Sequence, residues 1–110
     1  MSEVKLRLGF EALRSIDSAI FDSTYQNLGS ALGEQIRIFK ITNNSTVDVT
    51  VSYDGGTTDH EYVPASSFVL IDVCANNVES AKLIVPEGTQ VAVKGSAGTG
   101  SVYLSAYYAR

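Results

Sequence analysis

Val47, Val49, Val51 and Tyr53 stand at alternate positions, with Asp48, Thr50 and Ser52 between them. A period of two over that length is the signature of a strand buried on one face and wet on the other. Asp54-Gly55-Gly56 follows at once. Such glycines take the positive φ of a tight hairpin. The segment His60 to Val63 then reads as the returning strand. This stretch announces β-sheet scaffolding.

The rest of the chain agrees. Val4, Leu6 and Leu8 alternate with Lys5 and Arg7, which predicts a strand or arm over residues 3 to 9. Residues 11 to 22 fit either a helical face or extended chain. Their β-branched and serine content favours extended structure. STYQNLGSALG (23 to 33) reads as a connection around a short edge segment. Ile36 to Ile41 is a strand with apolar groups on both faces, and Asn43 to Thr46 a turn. Phe68 to Val73, Lys82 to Val85, Gln90 to Lys94 and Ser101 to Tyr108 complete the strands. Turns are expected at Asn76-Asn77 and Gly95 to Gly100. Pro64 and Pro86 both fall at strand boundaries, where a missing N–H does no harm. About seven or eight short strands at this spacing predict an all-β fold. The expected form is an antiparallel β-sandwich or a jelly-roll-like barrel. Residues 1–24 would supply an N-terminal arm or first strand with its connection, and residues 25–110 the sandwich domain.

A chain of 110 residues is one domain by length. Its eight Lys and Arg are scattered and its net charge is −4, which argues against binding nucleic acid by phosphate neutralisation. No apolar run approaches the roughly 20 residues of a membrane span. MSEVKLRLGF lacks the continuous apolar core of a secretory leader, so synthesis in the cytoplasm is expected. Charged residues are only 18% of the chain. That leaves surface to Ser, Thr, Asn and small apolar groups, which suits contact with other proteins. The single cysteine, Cys74, permits no intrachain disulfide and reads as a small buried residue at a strand end.

No arrangement of residues points to catalysis. GSAGTG (95 to 100) lacks the lysine and following helix of a phosphate-binding loop and reads as a hairpin turn. Asp54, Asp59, His60 and Glu61 form the one dense group of metal-capable side chains. Their spacing matches neither a calcium loop nor a zinc signature, so they read as turn-capping groups. A weak cation site is the alternative. No cofactor is expected. The apolar stripe Val4, Leu6, Leu8 with Phe10, and the terminal Tyr103, Tyr107 and Tyr108, are the candidate assembly residues. Tyrosine serves interfaces because it joins a large apolar ring to a hydroxyl that tolerates water. In the alternating register Tyr108 shares a face with Val102, Leu104 and Ala106, and Tyr103 and Tyr107 take the other.

The runs ITNNSTVDVTVSYDGGTTDHEYVPASSFVLIDVCANN and LIVPEGTQVAVKGSAGTGSVYLSAYYA resemble small virion structural proteins of tailed bacteriophages. The shared pattern is an Asn-Ser/Thr turn, a DVTVS-like strand, a Ser-x-Asp-Gly hairpin, an Asp-His pair, a Val-Pro-Ala corner, a Pro-x-Gly-Thr turn and a VYLSAYYA-like last strand. It covers roughly residues 25 to 109. The resemblance implies a non-enzymatic part of the virion that bridges or stabilises neighbouring subunits, foremost as a capsid decoration or cement protein. Its partners would be other virion proteins (capsid, portal or tail subunits), with the chain a homo-oligomer in the particle. A neck, head-to-tail connector or tail component is the close rival. A carbohydrate-binding module of a host-attachment structure is a further one, weakened by the absence of Trp.

Overall fold

The computed structural model describes residues 8–72 and 85–109. Nine strands lie within them: β1 (Leu8–Phe10), β2 (Arg14–Asp17), β3 (Gln26–Asn27), β4 (Ile36–Ser45), β5 (Val49–Ser52), β6 (Glu61–Val63), β7 (Ser67–Asp72), β8 (Ala92–Gly95) and β9 (Gly100–Ala109). A single 3-10 turn, Ser18–Ile20, follows β2, with Asp17 accepting a hydrogen bond from the backbone N–H of Ala19. All pairings are antiparallel. One sheet runs β1-β9-β4-β7, with β2 also paired to β9, and the other runs β3-β8-β5-β6. The two pack as a sandwich, as the alternation in the sequence predicts.

The two long strands, β4 and β9, form the spine of the five-stranded sheet. Their register sets Phe39 opposite Ala106, Ile41 opposite Leu104 and Asn43 opposite Val102, all pointing inward. From the other sheet Val49, Val51, Val63 and Val93 meet them, each fully buried. This valine-rich interior suits stacked pleated sheets, because branched side chains pack well there. A register shift between Ile36 and Ile38 lets Ile36 and Phe39 both turn inward. An extra residue in one strand resets the in-out alternation in this way.

Residues 8–17 join the five-stranded sheet, and the Asp22 carbonyl beyond them accepts from the N–H of Gly95 in the other sheet. β1 and β2 lie one after the other along the same edge of β9, and Ile16 and Phe21 enter the core. The extended reading of 11 to 22 holds for β2 and gives way to the 3-10 turn beyond it. Val4 and Leu6, the Asn76-Asn77 turn, Cys74 and most of the strand expected at Lys82 to Val85 lie outside the described residues. Val85 itself bridges to Ile36.

Two local expectations need correction. The strand β4 continues through Asn43, Asn44 and Ser45, which read as a turn. Asn43 is fully buried, and its Nδ2 donates to the carbonyls of Val47 (2.8 Å), Val63 (3.0 Å) and Pro64 (3.2 Å). Its Oδ1 accepts from the backbone N–H of Ser45, so the amide is satisfied on both ends. The strand persists because this side chain ties its end to the corner between the sheets. The second correction concerns the hairpin. β5 begins at Val49, and the link to β6 is the loop 53–60, not a tight turn at Asp54-Gly55-Gly56. Gly55 and Gly56 do hold positive φ, 78° and 110°. Asp54 organises the loop, accepting from the Ser52 hydroxyl (2.6 Å) and from the N–H groups of Thr57 and Thr58 (3.0 Å each).

Candidate assembly interface

Side chains facing away from the core on the five-stranded sheet fall into rows set by the register. Phe68, Thr42 and Tyr103 make one row, Leu70, Lys40 and Ser105 the next, and Asp72, Ile38, Tyr107 and Phe10 the third. Three large apolar residues on this face are mostly exposed: Phe10 at 68%, Phe68 at 61% and Leu70 at 51%. Phe10 meets Tyr107 edge-on, with ring centres 5.5 Å apart. Lys40 Nζ sits 4.8 Å from the centre of the Phe68 ring. Covering a Phe or Leu side chain contributes about 1.5–3 kcal/mol. Isolated exposed apolar residues need no explanation, but several on one sheet face are the usual mark of a contact surface.

The candidate residues read from the sequence therefore part company. Phe10, Tyr103 and Tyr107 come together on this outer face. Tyr108 takes the core side, packed over Gly9 so closely that a β-carbon there would lie 2.4 Å from its ring. Leu8 sits in β1 opposite Ala109. Phe68 and Leu70 are the residues that sequence reasoning missed. In FVLIDV the inward Val69 and Ile71 are as apolar as their outward neighbours, so no alternation shows. The available signal was the unbroken apolar run itself, which in an antiparallel sheet leaves one apolar face to be covered.

The Asp54, Asp59, His60, Glu61 group is not gathered around a common point. His60 Nδ1 accepts the backbone N–H of Tyr53 (3.0 Å), and the imidazole stacks on the Tyr53 ring. Asp54 is held well below the usual carboxylate range, first by the Ser52 hydroxyl and then by the Thr58 N–H. Asp59 accepts from the Tyr25 hydroxyl and pairs with Lys94 at 3.3 Å; these bonds lower its pKa, the Tyr25 bond most. Among the described residues no three His, Cys, Asp or Glu side chains converge on a metal position. Asp48 likewise works within the fold. Its carboxylate accepts from the Tyr62 hydroxyl (2.6 Å) and the Ala65 N–H (2.9 Å), and both bonds lower its pKa. GSAGTG is not the hairpin turn read from the sequence: Gly95 ends β8 and Gly100 begins β9, and these strands lie in different sheets, so the segment crosses from one sheet to the other. The N–H of Thr99 donates to the Thr46 hydroxyl across it.

No known protein family matches the chain, and no curated protein does. Solved structures similar to it include the following two. A protein of the Bacillus endospore appendages, a family of disulfide-linked pili, superposes with a TM-score of 0.47 at 15% identity, over 98% of this chain and 93% of that one. The SPBc2 prophage-derived protein YomS superposes with a TM-score of 0.42 at 11% identity, over 100% of this chain and 99% of that one.

Proposed function

We propose that the chain is a non-enzymatic structural subunit of a bacteriophage particle, bridging neighbouring subunits as a capsid decoration or cement protein. The observation that carries the assembly role is the outer face of the five-stranded sheet, which shows Phe10 with Tyr107 at one edge, Phe68 and Leu70 at the other, and Tyr103 between them. The resemblance of residues 25 to 109 to tailed-phage virion proteins supports the particle. On this reading Val4 and Leu6, on the segment before β1, add to the sheet of a neighbouring virion protein. Extended segments gain affinity there from backbone hydrogen bonds.

Purified particles lacking and regaining the protein test the proposal. A density map should show it at every equivalent position of the capsid lattice. A single ring at one vertex would instead make it a neck or tail component. Absence from the particle would end the reading. Removing residues 1–7 leaves β1 in place and should weaken incorporation while the melt stays cooperative. Normal incorporation of that variant would remove the arm from the mechanism.

A further inference from the structure

The two sheets have four edges among the described residues, and three of them are blunted. β3 is Gln26–Asn27 alone. β6 is Glu61–Val63 and runs straight into Pro64, which has no N–H to offer. The edge formed by β1 and β2 is interrupted at residues 11–13 and carries Arg14 and Asp17. Natural sheets guard their edges with shortness, proline and charge in this way. β7 does not. It runs over Ser67–Asp72, contains no Pro, Gly or Lys, and shows Phe68 and Leu70 to solvent. Among the described residues it pairs with β4 alone. Such an edge is a template for another strand.

The geometry points to a second copy of this chain as the occupant, with the two β7 strands pairing antiparallel about a two-fold axis. The complement of a long apolar edge, charged only at its last residue Asp72, is another one, and among the described residues β7 is the only such edge strand. The sequence of β7 is also compatible with itself. Cross-strand partners in a continued sheet must share a face, so residues of equal parity pair. With the axis at Val69, each Phe68 faces Leu70 of the other copy on the outer side, and Ser67 faces Ile71 on the inner side. Asp72 falls opposite Ser66, so no like charges meet. The five-stranded sheets then join into one, and Phe68 and Leu70 of the two copies stand side by side across the axis, in contact on the outer face. An isologous contact of this kind uses the same patch twice and stops at two. The inference rests on the proposed assembly role only in taking the chain to self-associate. It is read in solution, whereas that role is read on particles.

Sedimentation equilibrium of the purified chain should give the mass of a dimer, with a concentration-dependent monomer fraction. F68E/L70E sets two carboxylates against each other at each outer pair across the axis, while Lys40 lies beside position 70 within each chain. It should weaken the dimer at least ten-fold and keep a cooperative melt. Leu70→Ser, a milder change, should weaken it less. F68K/L70E sets unlike charges across the axis and should restore the dimer at low salt and lose it at high salt. A wild-type chain that is monomeric at the highest concentration reached, or that forms open polymers, overturns the proposal. So does a folded F68E/L70E that dimerises as well as wild type, or an F68K/L70E that shows no recovery.

Discussion

The hydroxyl of Tyr25 donates to the carboxylate of Asp59, fastening the loop 53–60 to the segment that leads into β3. Lys94 closes the group, 3.3 Å from the same carboxylate and 4.6 Å from the centre of the tyrosine ring. Burial first, and then the bond to Asp59, push the Tyr25 phenol up to about 12. A raised phenol stabilises the fold below its ordinary value of 10. That stabilisation is lost as pH climbs through the folded value. Ultraviolet titration of wild type against Tyr25→Phe should therefore show the missing tyrosine ionising near 12. Asp59→Asn should move it only part of the way back, because burial, the larger cause, remains. A Tyr25 that ionises at its ordinary value would contradict the contact.

The acid side has the opposite sign. Asp54, Asp48 and Asp59 are all depressed below 3.8. Their contribution is present above that value and is lost as pH falls toward the folded one. The melting temperature should decline on acidification below about pH 4. Asp54→Asn should flatten part of that decline, leaving the share of the other two. An acid limb identical in wild type and Asp54→Asn would show that Asp54 does not organise the loop.

Gly55 and Gly56 separate backbone strain from steric conflict. A β-carbon at Gly55 meets nothing within 4 Å, so Gly55→Val carries only the cost of positive φ, about 1–2 kcal/mol. A β-carbon at Gly56 would stand 2.9 Å from the Tyr25 β-carbon, so Gly56→Val should cost more. Denaturant melts that rank the two the other way would contradict this packing.

Two polar groups in the interior should respond in opposite directions. Asn43→Ala strands the carbonyls of Val47, Val63 and Pro64 and should cost about 2–3 kcal/mol. The Tyr53 hydroxyl is buried and has no hydrogen-bond partner among the described residues. Tyr53→Phe removes that unmet demand and should raise stability by up to about 1 kcal/mol, a rise of a few degrees in Tm. A Tyr53→Phe variant less stable than wild type would imply a partner for the hydroxyl.

The sandwich was legible wherever a contact is local. Val49 and Val51 alternate because one sheet face is wet, and Gly55 and Gly56 stand where positive φ is required. What was hidden depends on partners distant in sequence. Asn43-Asn44-Ser45 has the chemistry of a turn, and only the carbonyls of residues 63 and 64 make it a strand. The outward turn of Phe68 and Leu70 follows from their register with β4, because Phe68 to Ile71 is apolar throughout and only Asp72, of the same parity, marks that side. Tyr103, Tyr107 and Tyr108 were found as a cluster, and the alternating register already set Tyr108 apart from the other two.

Leu8 and Ala109 face each other across a strand pair. Followed through space, the backbone is thus a ring closed by hydrogen bonds at one pole of the sandwich, and the loop 96–99 lies at the other. Anything fused at either side of that closure emerges beside the other, from a single pole. Joining residues 8 and 109 through a short linker and opening the ring elsewhere would reorder the gene while leaving every strand beside its present neighbours.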